Sequence, residues 1–143
     1  MSTAGLLLAF VLAGCGNSSL SAGQLRTAAR RICAVAQRQT ERIPTPTEPS
    51  QGAGYLRRGV AALAPEVAAL RRLTPPSDLA SGYRDALTDT GAEVQALRRA
   101  LNGLRAGNDP VVAIKTLQQE LAPLEPRAEG AWRSLDIAAC VGA

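Results

Sequence analysis

The side chains with chemical potential in this sequence are a row of carboxylates and three cysteines, and no histidine accompanies either set. Asp85, Asp89 and Glu93 recur at four-residue spacing, which a helix displays on one face, and Glu125 and Glu129 repeat the step further on. Carboxylates on facing helices can hold metal pairs, but di-metal bundles complete the ligand set with histidine at Glu-x-x-His spacing. The lack of histidine also removes the commonest general base and the partner that activates a serine or cysteine nucleophile. Lys115, the one lysine, has no Ser-x-x-Lys context, and neither a Gly-x-Gly-x-x-Gly run nor a phosphate loop occurs. The expectation is a protein that is not an enzyme and takes no cofactor or metal. Its carboxylate stripes are then expected on solvated helix faces.

Cys15 has a context of its own. No charged side chain occurs from Ala4 to Gly14, and Leu6-Leu7-Leu8-Ala9-Phe10-Val11-Leu12 is a compact apolar run. A spanning helix needs roughly 20 apolar residues, whereas this run has the length of a signal-peptide core. Leu12-Ala13-Gly14-Cys15 closes it. This stretch resembles the lipobox of bacterial lipoprotein precursors: an aliphatic residue, two small residues that fit a tight protease site, then the cysteine whose thiol takes a diacylglyceryl group.

The resemblance covers the first fifteen residues and implies a signal peptide over residues 1–14 and a lipidated cysteine at Cys15 carrying palmitate-type chains. It further implies residence at the cell membrane, lipid-anchored on the extracytoplasmic face. Met1-Ser2-Thr3 lacks the basic side chain the family carries there. The N-terminal amine, or a translation start further upstream, then supplies that charge. Residues 15–20 form a short lipidated tether. Each buried acyl CH₂ contributes about 0.8 kcal/mol, so two or three chains hold the domain close to the membrane surface.

The elements that must position these residues are helical. Of 143 residues, 46% are hydrophobic but only 3% aromatic, with alanine, leucine and valine dominant, and no stretch alternates as a strand does. The length suits one domain, residues 21–143, with its own core. Ser21-x-x-Gln24 reads as a capping box, and Leu25, Ala28, Ala29, Ile32, Cys33, Ala36 and Ile43 share a face behind it. Pro44-Thr45-Pro46-Thr47-Glu48-Pro49 stops that helix in a stiff extended stretch, followed by a flexible Ser50–Gly54 segment.

A second helix from about Tyr55 carries Leu56, Val60, Leu63, Val67 and Leu70 in the rhythm of a bundle seam, with Pro65 predicting a kink or break near Ala64. Leu73-Thr74-Pro75-Pro76 ends it, and Ser77 or Asp78 is placed to cap the third. Tyr83, Leu87, Thr90, Val94, Leu97, Leu101 and Leu104 mark the third helix, with Gly107 as its stop and Asp109-Pro110 as the next start. Ile114, Leu117, Leu121, Leu124, Ala128, Ala131 and Leu135 keep one register across Pro123 and Pro126, which predicts one bent fourth helix. The fold class expected is all-α, an up-down-up-down four-helix bundle with proline kinks.

That topology brings Cys33, in helix one, near Cys140, at the end of helix four. With export to an oxidising compartment, a Cys33–Cys140 disulfide is expected, two buried free thiols being the alternative. A cysteine in the first helix, the Leu73–Pro76 turn before a helix bearing Tyr83, and a C-terminal cysteine also resemble small helical lipoproteins and secreted proteins of actinobacteria, for which no activity is implied.

The net charge of +4 comes almost wholly from arginine, in pairs at Arg30-Arg31, Arg57-Arg58, Arg71-Arg72 and Arg98-Arg99. These suit the solvated flanks of amphipathic helices, and equally an attraction to anionic headgroups. Stacking on nucleic acid needs aromatics, and beyond Cys15 only Tyr55, Tyr83 and Trp132 are present, so no nucleic-acid partner is expected. The function expected is a membrane-anchored, non-catalytic interaction or structural module of the cell envelope. It would bind an envelope protein through an exposed helix face or the Pro-rich 44–49 loop. The alternative is a carrier or sensor for an apolar small molecule or lipid held within the bundle.

Overall fold

A computed structural model describes residues 18–142 of the chain. Five helices make the bundle: α1 (Ala22–Thr40), α2 (Gly52–Leu70), α3 (Ala80–Arg105), α4 (Pro110–Leu121) and α5 (Glu125–Ser134). Short 3₁₀ turns at Pro49–Gln51 and Ala138–Cys140 precede α2 and follow α5. Among the described residues there is no strand, and no helix is long and apolar enough to cross a membrane. The expected all-α, up-down-up-down bundle is what the chain forms, with α4 and α5 sharing the place of the fourth helix.

The direction of each helix follows from contacts near its ends. Leu20 N–H donates to Thr74 O at 2.8 Å, tying the start of α1 to the end of α2. Gly52 at the start of α2 lies against Leu104 near the end of α3, and Gly82 near the start of α3 lies against Leu135 after α5. The chain therefore reverses at each connection. Leu20, the last residue of the expected tether, already packs on the core.

Local sequence explains most boundaries. The Ser21–Gln24 capping box forms in both directions, the Ser21 hydroxyl accepting from Gln24 N–H and the Gln24 side chain from Ser21 N–H. Gly107 takes φ +91°, the left-handed conformation that ends a helix at low cost in glycine. The Asp109 carboxylate then accepts from Val111 and Val112 N–H, and Pro110 begins α4.

Four expectations need correction. The Ser50–Gly54 segment is helical, forming the 3₁₀ turn and the first residues of α2. Of the kink or break expected at Pro65, the break does not occur: α2 runs through it, because Pro65 and Ala61 both lie on the exposed face, where water can take the carbonyl left without its donor. Neither Ser77 nor Asp78 caps α3; its N-cap is Leu79, with no side-chain hydrogen bond.

The fourth region is two helices, not one bent one. Pro123 and Pro126 remove two N–H donors three positions apart, more than one continuous ladder can bridge. Leu124 N–H instead bonds Leu121 O, and the ladder restarts from Leu124 O.

Two cores result. One gathers Leu25, Ala29, Cys33, Leu70, Tyr83 and Trp132, with neighbours, at the end where α1 begins. The other joins Leu56, Ala96, Leu101 and Leu117 at the opposite end. In the first core, Tyr83 O–H donates to Leu70 O at 2.8 Å and Trp132 Nε1–H to Thr90 Oγ1 at 2.9 Å. Their rings meet edge to face at 5.7 Å. Burial pushes the Tyr83 phenol above its ordinary range, so it stays a donor.

Candidate functional site

Cys15, with the whole signal-peptide segment, lies outside the described residues. Cys33 and Cys140 are described and are joined as a disulfide, their Cα atoms 5.0 Å apart. Cys33 is presented by the buried face of α1, and Cys140 by the 3₁₀ turn that folds back on it. Two arginines hold that return in place. Arg26 Nε–H donates to Leu135 O and Arg30 to Asp136 O, each at 2.9 Å, while Asp136 takes φ +60°, a conformation aspartate tolerates better than most residues.

Beside the disulfide sits a residue the sequence reading passed over. Glu66 on α2 is 5% exposed, and its Oε2 finds no hydrogen-bond partner among the described residues. A carboxylate oxygen of Glu66 and the two cysteine sulfurs lie within 4.8 Å of one another. As free thiolates the sulfurs would complete a metal-ligand set; joined to each other, they leave Glu66 alone. The signal was present in the sequence: Glu66 falls three residues after Leu63 and four before Leu70, on the seam of its helix.

Glu66 opens into a pocket of about 350 Å³ that also takes Glu93 from α3 and Glu125 and Glu129 from α5. Thr90, Leu63, Val94, Ala128, Cys140 and Gly142 form the rest of its walls. The pocket occupies the level between the two cores, where the fourth helix is broken. Glu93 and its stripe were expected on a solvated face, and this is corrected in part: Asp85 is exposed, but Glu93 is half-buried and turned into the pocket. Glu125 is exposed at the rim, and Glu129 is half-buried.

The electrostatics follow from this crowding. Desolvation first, then the charge of Glu93, pushes Glu66 up to about 7. Desolvation, followed by Glu125, Asp89 and Glu129, likewise pushes Glu93 up to about 7. The two arginines of α5 are engaged: Arg127 lies 3.4 Å from Asp89, and Arg133 2.9 Å from Glu129. Among the described residues, Glu66, Glu93 and Glu125 form no ion pair.

A second concavity lies at the far end of the bundle. Pro46, Pro49, Tyr55, Pro110, Val111 and Ile114 line an open groove of about 660 Å³, with Glu48 and Lys115 at its margins. Val111 is 64% exposed and the adjacent Val112 62%, two apolar side chains open to solvent side by side. The Pro-rich loop and an exposed helix face, singled out separately in the sequence, thus meet on one surface. The eight paired arginines are all exposed, as expected for solvated flanks.

Comparison with protein-family models, with curated proteins and with solved structures finds no match to this chain.

Proposed function

We propose that the protein is a lipid-anchored, non-catalytic interaction module on the extracytoplasmic face of the cell membrane, held by Cys15 and docking an envelope protein through the groove between the Pro-rich loop and α4. The observation that carries this reading is the groove's position. The chain enters the bundle at Leu20, beside Thr74, whereas the groove lies where α1 ends and α4 begins. The 19 residues of α1 separate the two ends by about 28 Å at 1.5 Å per residue. An anchor at Cys15 keeps the entry end at the membrane and turns the groove away from it, towards protein partners and not lipid.

The apolar lining suits a partner that inserts an apolar segment, with Glu48 and Lys115 setting its register. An apolar carrier is the weaker reading, because the pocket between the helices is lined by four glutamates, three of which an apolar ligand would leave desolvated and unpaired. The test is a photo-crosslinking residue placed in living cells at Val111 and, for comparison, at exposed Thr27 on α1. An adduct of one defined mass at Val111, absent at Thr27 and lost with Ile114→Asp, supports the reading. No adduct at Val111, or the same adducts at both positions, contradicts it.

A further inference from the structure

The Glu66 pocket is not explained by a docking role, and its composition is odd for this chain. The protein is basic overall, with 16 Lys and Arg against 12 Asp and Glu, yet three carboxylates converge here without a cation. One of them, Glu66, is buried with an unpartnered oxygen, an arrangement that costs stability unless something pairs with it. Arg127 and Arg133, the basic side chains on α5, are paired with Asp89 and Glu129.

We propose that this pocket binds a small aliphatic polyamine, its ammonium groups paired with Glu66 at depth and with Glu93 and Glu125 nearer the mouth, and its methylene chain lying against Leu63, Val94 and Ala128. Three observations favour an organic cation over a metal ion. Among the described residues, no three of these carboxylates bring oxygens within 4.8 Å of one another, so the donors are too dispersed for a single ion, which needs oxygens at roughly 2.0–2.6 Å. The cavity, about 350 Å³, is larger than a bare ion requires and falls within the range of small-molecule sites. Its walls combine acid and aliphatic side chains, the two kinds of contact a chain of ammonium and methylene groups needs. An ammonium is a compact charge with several donors, suited to pairing with the Glu66 carboxylate where it lines the pocket.

The test is calorimetric titration of spermidine into the full-length protein, purified from membranes in detergent, at pH 8. Saturable binding at one site is expected, at least tenfold weaker in Glu66→Gln and in Glu93→Gln, and unchanged in Asp85→Asn, which alters an exposed carboxylate on the same helix. Glu125→Gln, at the solvent-exposed rim, should weaken binding several-fold with the fold intact by circular dichroism. Mg²⁺ or Ca²⁺ competing at equal concentration would overturn the assignment in favour of a divalent ion. Absence of saturable binding, or equal weakening by Asp85→Asn, would overturn it outright.

Discussion

The carboxylate of Glu66 lies within 4.8 Å of the Cys140 sulfur, buried and with one oxygen unpartnered. The disulfide offers it no donor, and the charge that acts on it, Glu93 on α3, shares its sign. Burial and the Glu93 charge both oppose ionisation, which ties the protein's stability to pH.

Glu66 ionises near pH 4.5 when unfolded and near 7 when folded, so the folded chain holds more protons between these values. Stability should be full below about pH 4.5, fall as pH rises towards 7, and stay low above it. At about 1.36 kcal/mol per unit, this shift corresponds to about 3 kcal/mol, part of it arising from the Glu93 charge. Glu66→Gln should be more stable than wild type by about 2–3 kcal/mol at pH 8 and nearly equal to it at pH 4.5. Urea unfolding of both proteins at the two pH values checks this in the absence of polyamine; an equal difference at both would refute it.

The Cys33–Cys140 bond closes a loop of 107 residues in sequence separation. Loop-closure entropy for that length contributes about 4–5 kcal/mol. Reduction, or the paired change Cys33→Ser with Cys140→Ser, should lower the urea midpoint accordingly. A thiol assay on denatured, unreduced protein should find neither of these cysteines free. Two free thiols would remove the bond from consideration.

Tyr83→Phe should cost about 1 kcal/mol, since it deletes the 2.8 Å bond to Leu70 O while leaving the ring against Trp132. The loss is limited because Leu70 O also accepts from Leu73 N–H. Tyr83→Ala removes the ring as well and should cost about 3–5 kcal/mol. Denaturant melts of the two variants give the comparison; equal losses would mean that the ring contributes nothing.

Much of this fold can be read from the sequence because its signals are local. The Ser21–Gln24 box, the Gly107 stop and the Asp109-Pro110 start each depend on a few adjacent residues, and each forms. The seam through Tyr83, Val94 and Leu101 is likewise buried as the spacing predicts. The break at Pro123 and Pro126 escapes periodicity because Leu117, Ala128 and Leu135 remain buried on either side of it. Glu66 escapes because acid residues on helices usually face water, and only its spacing from Leu63 and Leu70 marks it as interior. The pocket and the groove are tertiary objects, assembled from residues up to about 80 positions apart in sequence, and no local pattern announces them.

Metabolic labelling with a fatty acid, on wild type beside Cys15→Ala with membrane fractionation of both, bears most directly on the anchored module proposed for this chain. The expected result is label on the wild type, in the membrane fraction, and none on Cys15→Ala, which should leave that fraction. Equal labelling of the two proteins, or none on either, would contradict the lipid anchor and with it the orientation that turns the groove away from the membrane.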